Sequence, residues 1–490
     1  MTRRLSLGLV LSFALAGCDD YTTPIDVQPA DHAPQHARVD ATLNLIGTEP
    51  VEVIVTFDEN VTTSEAVASG VVASGAGVVR FKHLPLVAAL ATPAQIESIR
   101  TLNGVQGIWA NRQLEWHMAE AIASVGVDRV WADYGYRGTG VGIAILDSGI
   151  DGLYNPDVAY PSRTVRNIKY FATSQDIYST SEDVPYFGFQ LFADKVANSE
   201  TTVGHGTHVA GIAAGDGTAS GGYYTGVAPE ANLIGIGAGD ILFVFWILAG
   251  YDYILEHRQA ANIQVVNNSW GSSGFAFDPA DPINIATREA FDAGIAVVFS
   301  AGNCGPEGDG ECDDSGIYQI NPYSVAPWVI SVAAGCKTVS PDPTNSAAHC
   351  PDLRGLGRAA LLADFSSRGI AGDALHHPDI TAPGVHLVST RASTGTVMNG
   401  LDANHDATIC AIAAEHVSYY TCASGTSMSA PMVTGVIALM EQASGGRLDP
   451  AEAYDILTRT ADPMEGFELW EVGTGYMDAY EAVRRARRVR

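Results

Sequence analysis

A serine stands at the start of an apolar, helix-like stretch near the C-terminal end of the chain. Ser427 lies in the segment GTSMSAP, residues 425–431, and apolar residues follow it at three- and four-residue steps. That spacing predicts a buried helix, so Ser427 lies at or near a helix N-terminus, where free backbone N–H groups stabilise negative charge. A serine at this place could attack a carbonyl carbon and leave the resulting oxyanion beside those N–H groups.

A serine hydroxyl becomes a good nucleophile only with a base to take its proton and an acid to hold that base in the right tautomer. The base candidate, His205, lies in GHGTHVAG, residues 204–211. The acid candidate, Asp147, directly follows the strand-like run VGIAIL, residues 141–146. Each motif alone is more often a turn, a loop or a helix cap. Their joint presence predicts acyl transfer by an Asp, His, Ser set in that order along the chain.

The three motifs resemble the signature blocks of the subtilisin-like serine peptidases, the subtilases, whose catalytic residues follow this order. A fourth block, VVFSAGN at residues 297–303, resembles the strand and loop that carry the family's oxyanion-hole asparagine, which implies that role for Asn303. The segments DFSSRG, residues 364–369, and DITAPG, residues 379–384, also resemble family segments around the site. The resemblance implies a serine endopeptidase that acts on polypeptides and needs no cofactor for catalysis.

The chain from about residue 119 to its C-terminus has the pattern of an α/β fold with a doubly wound, mostly parallel sheet. Helical stretches alternate with strand-like apolar runs at residues 142–146, 233–236, 264–267, 295–300 and 329–332. Asp147 and Asn303 come just after two of these runs. Sites in open parallel sheets lie at the carboxyl ends of the strands, so both residues fall where this topology places chemistry.

Residues 1–18 are predicted to be a signal peptide. Arg3 and Arg4 precede an apolar stretch, and its ending LAGC, residues 15–18, resembles the bacterial lipobox, which implies lipid attachment to Cys18. The alternative is an ordinary secretory signal with an incidental cysteine. Residues 19–47, which carry several prolines and little apolar periodicity, are predicted to form a flexible tether. The lipobox therefore predicts a protein of the bacterial cell envelope, joined to a membrane by lipid.

Residues 48–118 are predicted to form a small α+β domain with the order βαββαβ. VEVIVTF, residues 51–57, alternates as a half-buried strand, and TPAQ, residues 92–95, carries a helix cap, a proline at the first helical position and a capping-box glutamine. The domain resembles the subtilase propeptide, which implies a chaperone and inhibitor lying on the active site and removed by self-cleavage near His117 to Ala121. The alternative is an independent adhesion or assembly module. Because Cys18 and the catalytic domain (119–490) lie on opposite sides of this domain, cleavage would also release the enzyme from the membrane.

Seven cysteines divide into Cys18 and six others, which an exported protein is expected to oxidise. Sequence neighbours suggest the bridges Cys304–Cys312, Cys336–Cys350 and Cys410–Cys422, although six cysteines allow 15 pairings. The first bridge would stiffen the loop that carries Asn303. The alternative is a redox-sensing thiol at the site.

The formal net charge of −28 argues against a nucleic-acid partner, because phosphates require a basic face. Such an acid excess serves solubility, and it also fits bound calcium, which the resembled family often carries as a structural ion. Asp157 lies one residue beyond the family's usual calcium-ligating aspartate, and the loop at residues 216–222 offers carbonyl oxygens. The alternative is a solvated acidic surface.

The segment Ser269, Trp270 and Gly271 resembles the family's edge strand, whose backbone pairs with substrate. With residues 300–302 it would form the sides of the pocket for the residue before the scissile bond, for which we expect an apolar preference. Trp270 either lines that pocket or packs into the core. We expect a monomer, acting either as a broad scavenging endopeptidase or as a dedicated processing peptidase. The rival interpretation is a catalytically idle envelope lipoprotein that uses the fold as a binding scaffold.

Overall fold

The structure is a computed structural model that describes residues 37–40, 43, 45–111, 113–116, 123–170, 192–239, 242–306, 312, 319–337, 362–394, 398, 410 and 412–489. For residues 113–116 and 123 only the backbone is described. Within these ranges, no helix combines the length and the apolar composition needed to cross a membrane.

The N-terminal module is a five-stranded sheet with two helices. Its elements are β1 (Arg38–Val39), β2 (Val51–Phe57), α1 (Ser64–Ala73), β3 (Gly77–Arg80), β4 (Leu86–Ala91), α2 (Pro93–Ile99) and β5 (Val105–Ala110). The strand order is β1-β5-β2-β4-β3, with β1 parallel to β5 and the other pairs antiparallel. Helix α2 begins with the capping box of Thr92 and Gln95.

The module begins earlier than residue 48. Ala37 is buried in its core, and Arg38–Val39 pairs with Gly107 and Ile108. Residues 37–40, near the end of the predicted tether (residues 19–47), are therefore a structured part of the module. A two-residue strand has too little apolar alternation to be distinguished in the sequence from a linker.

The centre of the larger part of the molecule is a twisted eight-stranded sheet. The remaining strands of the chain, in order, are β6 (Gln113–Trp116), β7 (Gly142–Asp147), β8 (Thr164–Tyr170), β9 (Phe192–Asp194), β10 (Asn232–Gly237), β11 (Leu242–Phe243), β12 (Ile263–Asn268), β13 (Trp270–Gly271), β14 (Ala296–Ser300), β15 (Val329–Gly335), β16 (Ile380–Pro383), β17 (Leu387–Thr390) and β18 (Tyr420–Ala423). The order in the large sheet is β16-β15-β14-β12-β7-β10-β8-β9, and every pair is parallel except β8 with β9. The prediction of a doubly wound, mostly parallel sheet is confirmed.

Helices cover both faces of this sheet. They are α3 (Val127–Tyr134), α4 (His205–Ala214), α5 (Val244–His257), α6 (Pro282–Asp292), α7 (Thr426–Ser444), α8 (Pro450–Thr460), α9 (Leu469–Val472) and α10 (Ala479–Ala486). In β7, Ile143 and Ile145 belong to the core cluster that holds α4 and α7, whereas Ala144 and Leu146 belong to the cluster that holds α5 and α6. Both faces of β7 are buried, which explains its uninterrupted apolar run.

The N-terminal module packs on helix α5. Phe81 of the module contacts the ring of Phe245, with ring centroids 5.8 Å apart, and both belong to the core cluster on the α5 face of the large sheet. The carboxylate of Asp252, 4% exposed, accepts hydrogen bonds from the backbone N–H groups of Lys82 and His83. Burial raises the pKa of Asp252 to about 6.

Helix α7 carries a buried carboxyl group near its C-terminal end. Glu441 is 3% exposed, and its Oε2 accepts hydrogen bonds from Gln264 Nε2 at 3.3 Å and Ser444 Oγ at 3.5 Å. Burial raises the pKa of Glu441 from 4.5 to about 7, because a charge is costly to desolvate. Between these values the folded chain holds a proton that the unfolded chain has lost, so a rise in pH weakens folding.

We therefore predict that Glu441→Gln reduces the pH dependence of stability. In the wild-type protein, Glu441 should contribute a fall of roughly 2 to 3 kcal/mol in the free energy of unfolding between pH 5 and pH 8. The Glu441→Gln variant should lack this contribution. Urea denaturation at both pH values measures this difference, in a Ser427→Ala background that removes the predicted nucleophile. Glu49→Gln, the same substitution at an exposed position, provides the control. An unchanged pH dependence in Glu441→Gln would contradict the assignment.

Candidate active site

Asp147 and His205 are brought into direct contact at the carboxyl edge of the large sheet. Asp147 is the last residue of β7 and His205 the first residue of α4, and both side chains are fully buried. Asp147 Oδ1 lies 2.8 Å from His205 Nδ1 and also accepts the Ser148 N–H at 2.8 Å. An ionised carboxylate only accepts hydrogen bonds, so Nδ1 carries the proton and Nε2 is left as the basic nitrogen.

Glu200 holds the first turn of α4 in place, a role that the sequence did not reveal. The N-cap residue, Gly204, has no side chain to cap the helix. Glu200 Oε2 instead accepts the N–H and O–H groups of Thr207 at 2.9 and 2.6 Å. Burial raises the pKa of Glu200, against the opposing effect of hydrogen bonds that include one from Ser148. A cap from outside the helix leaves no fixed spacing in the sequence, and a Glu in a short polar run was its only signal.

Ser427 is the second residue of α7, as its predicted place at a helix N-terminus requires. Ser427 Oγ donates a hydrogen bond to the carbonyl oxygen of Ser269 at 2.8 Å, and Ser269 Oγ donates to the carbonyl oxygen of Ser427 at 2.5 Å. Pro431 explains the second bond. It has no N–H to give to the Ser427 carbonyl four residues earlier, so Ser269 occupies that acceptor.

Asn303 lies in the loop after β14, and the first residue of α7 orients its side chain. Asn303 Oδ1 accepts the N–H and Oγ1–H of Thr426 at 3.0 and 3.1 Å. Thr426 Oγ1 in turn accepts the N–H of Gly302 at 3.0 Å. Because its oxygen is engaged by the residue next to Ser427, the Asn303 amide group lies beside the N-terminus of α7.

Strand β13, the predicted edge strand, forms a small separate sheet with β6 and β11. In the three-stranded sheet β11-β6-β13, Trp270 lies opposite Trp116 and Gly271 opposite Glu115, antiparallel. On the other side of β6, Leu242 lies opposite Leu114. Strand β6 therefore takes the middle position, and β13 begins directly after Ser269, whose carbonyl oxygen accepts a hydrogen bond from Ser427.

The indole ring of Trp270 packs in the core and does not line a pocket. It is fully buried, its Nε1 donates to the carbonyl oxygen of Leu146 at 2.8 Å, and its ring meets Phe299 edge to face at 4.8 Å. Asn321 bridges the two segments expected to form the pocket walls, because its Nδ2 donates to the carbonyl oxygens of Trp270 and Ser300. Of the two alternatives for the Trp270 side chain, the structure shows packing in the core, and the backbone of Trp270 pairs with β6.

Two of the three expected disulfide bonds lie within the described residues. Cys304 is bonded to Cys312 and Cys410 to Cys422, with Cα atoms 5.6 and 6.3 Å apart. Cys336 is also disulfide-bonded, while its expected partner Cys350 and the lipid-anchor candidate Cys18 lie outside the described residues. The first bond joins the residue directly after Asn303 to residue 312.

Both carboxyl oxygens of Asp157, the calcium candidate, accept hydrogen bonds in this structure. Its Oδ1 accepts the N–H of Ala219 at 2.7 Å and its Oδ2 accepts the hydroxyl of Tyr420 at 2.6 Å, so hydrogen-bond donors face both oxygens. Burial raises the pKa of this carboxyl. Asp157 ties the loop at residues 216–222 to β18. Within the described ranges, no three Asp, Glu, His or Cys side chains gather as a metal site.

Comparison with known proteins places this arrangement in a family. Serine protease AprX of Bacillus subtilis (strain 168) is 27% identical over 417 residues, which are 82% of this chain and 80% of that protein. Fervidolysin of Fervidobacterium pennivorans is 27% identical over 372 residues, which are 72% of this chain but 42% of that protein.

The crystal structure of fervidolysin, described as a keratinolytic enzyme related to subtilisin, shares the fold. It matches 92% of this chain and 63% of its own with a TM-score of 0.61 at 20% identity. The model of the subtilase family matches residues 138–479, a segment that contains Asp147, His205, Asn303 and Ser427. The chain therefore belongs to the subtilase family.

Proposed function

We propose that this serine endopeptidase hydrolyses peptide bonds with Ser427 as nucleophile, His205 as general base and Asp147 as the group that orients the histidine. The observation that carries the proposal is the 2.8 Å contact of Asp147 with His205 Nδ1, at the sheet edge to which α7 also brings Ser427. The Ser427 hydroxyl turns from the Ser269 carbonyl to His205 Nε2, gives up its proton and attacks the substrate carbonyl carbon. His205 then donates the proton to the leaving amine, and water repeats the sequence on the acyl-enzyme.

The oxyanion formed in each step is stabilised by the Ser427 N–H and the Asn303 side-chain amide. Ser427 lies in the first turn of α7, where backbone N–H groups have no partner within the helix. Because Thr426 donates two hydrogen bonds to Asn303 Oδ1, the other end of this side chain is the NH2 group, which is a hydrogen-bond donor. Removal of one such donor in a serine protease costs roughly 3 to 4 kcal/mol in activation free energy.

The N-terminal module acts as a propeptide that inhibits the enzyme until it is cut. Strand β6 follows the module and lies between β11 and β13, in the position of an added substrate strand. It ends at Trp116, close to the point where β13 leads back to Ser269. Strand β6 directly precedes residues 117–121 along the chain, and its pairing with β13 supports self-cleavage in that region.

We predict that the Ser427→Ala precursor, expressed from residue 19, stays uncut. Wild type should be trimmed to an N-terminus near residue 119, because only Ser427 can form the acyl-enzyme. Intact mass and N-terminal sequencing of both proteins measure this, and a covalent serine reagent should label wild type alone. Maturation of the alanine variant in a protease-free host would refute self-cleavage. Neither protein being trimmed would favour the scaffold interpretation.

Asp252 should control how long the cut module stays on the enzyme. Asp252→Ala removes a buried acceptor of two backbone N–H groups, each worth roughly 1.5 to 3 kcal/mol when the partner is charged. We expect the cleaved module to dissociate at least tenfold faster, so the lag before activity appears should shorten accordingly. Glu256→Ala is the matched control from the same helix. Its ion pair with Lys82 is partly exposed and should contribute little. Equal lags in both variants would contradict this role.

The proposed location follows from the order of the segments along the chain. Lipid on Cys18 would hold the precursor at the bacterial envelope, and cleavage after the module would separate the enzyme from that lipid. Fractionation of cells that express the wild type and Ser427→Ala should find the mature enzyme in the soluble fraction and the uncut precursor in the membrane fraction. A mature form that stays in the membrane fraction after the module is stripped would contradict release.

A further inference from the structure

The segment DFSSRG, residues 364–369, lies against the loop that carries Asn303. The loop contains Gly302, with φ +102°, and Gly305, whose N–H donates to the carbonyl oxygen of Phe365 at 2.8 Å. Two glycines in four residues give this backbone a large conformational freedom. A donor that must meet an oxyanion within a few tenths of an ångström therefore needs ties from outside the loop.

Ser367 supplies two of these ties, one on each side of Asn303. Its backbone N–H donates to the carbonyl oxygen of Gly302 at 2.9 Å. Its Oγ accepts the N–H of Cys304 at 2.9 Å and donates to the carbonyl oxygen of Gln319 at 2.8 Å. Ser367 is fully buried, so water cannot replace these bonds.

Ser367 Oγ packs closely against the backbone of Gly302 in the loop. A Cβ atom placed on Gly302 would lie 2.7 Å from this oxygen, closer than such atoms approach each other. The peptide units before and after Asn303 are thus held by Ser367, while Thr426 holds the Asn303 side chain. The oxyanion donor is fixed at three points.

We propose that Ser367 is a positioning residue for the oxyanion hole: its hydroxyl fixes the backbone on the C-terminal side of Asn303 so that the amide meets the developing oxyanion. The inference rests on the proposed role of Asn303. Ser367 touches no reacting atom. Its loss should lower the turnover of bound substrate and leave substrate binding on β11 and β13 intact.

The neighbouring serine provides a matched control. Ser366 is equally buried, and its Oγ accepts one backbone N–H, that of Ala334 at 3.0 Å in β15. Ser366→Ala removes a comparable buried hydrogen bond without touching the Asn303 loop. A general loss of packing would affect both variants, whereas positioning of the oxyanion donor would affect Ser367→Ala alone.

The test is a double-mutant cycle on kcat and KM with a chromogenic peptide amide, using active-site titration with a covalent serine reagent. Ser367→Ala should lower kcat about tenfold and keep KM within twofold, and Ser366→Ala should match wild type within twofold. In an Asn303→Ala background, Ser367→Ala should change kcat by less than twofold, because the donor it positions is gone.

Each contrary outcome has a distinct meaning. A tenfold loss in both backgrounds, or an equal loss in Ser366→Ala, overturns the positioning role. Wild-type kcat in Asn303→Ala would refute the proposed oxyanion hole instead. If the Ser367→Ala precursor fails to mature, Ser367→Thr, which keeps the hydroxyl, must restore maturation. A threonine variant as inactive as the alanine variant overturns the proposal.

Discussion

The burial of helix α7 is the constraint on which the site depends. Every residue from Thr426 to Glu441 is buried, and the helix packs among β12, β14, β15 and α4. A helix surrounded on all sides cannot shift without disrupting the core on one face of the sheet. Its first turn is therefore a fixed reference, and the groups that must meet there are attached to it by short hydrogen bonds from Thr426 and Ser427.

Pro431 shows how sequence and site geometry are linked through this helix. By leaving the Ser427 carbonyl without its helical partner, it frees that oxygen for Ser269. Ser269 Oγ also accepts the side-chain amide of Asn267 at 2.8 Å, and Asn267 in turn accepts the hydroxyl of Thr434, two turns further along α7. The strand end and the helix start are thus joined by a chain of buried polar groups, each with a partner.

The parts of this architecture that follow a period were predictable, and the parts that depend on distant partners were not. The run before Asp147 and the apolar steps after Ser427 identified a buried strand and a buried helix, because both periods are short-range. Trp270 could not be assigned, since a strand residue faces either the core or a groove with the same sequence pattern. Asp252 was missed because its backbone partner Lys82 lies 170 residues away in the sequence. Glu200 was missed because a residue that caps a helix from outside, seven residues before Thr207, has no fixed spacing to it. Arg38 and Val39 were missed because the strand that they form is too short to show alternation.

Strands β11 and β13 are two residues long and have no hydrogen bond to each other, as each pairs only with β6 within the described residues. The gap between them is thus one strand wide, with backbone donors and acceptors on both sides. A helix is about twice as wide as this gap, and a strand that is paired on both sides in a sheet has no free edge to offer. In the proposed function, in which a substrate takes the place of β6, the gap accepts only an extended segment that is unpaired on both sides. A folded target would then have to unfold locally before its side chains could be selected, and the hydrogen bonds of well-folded proteins would protect them.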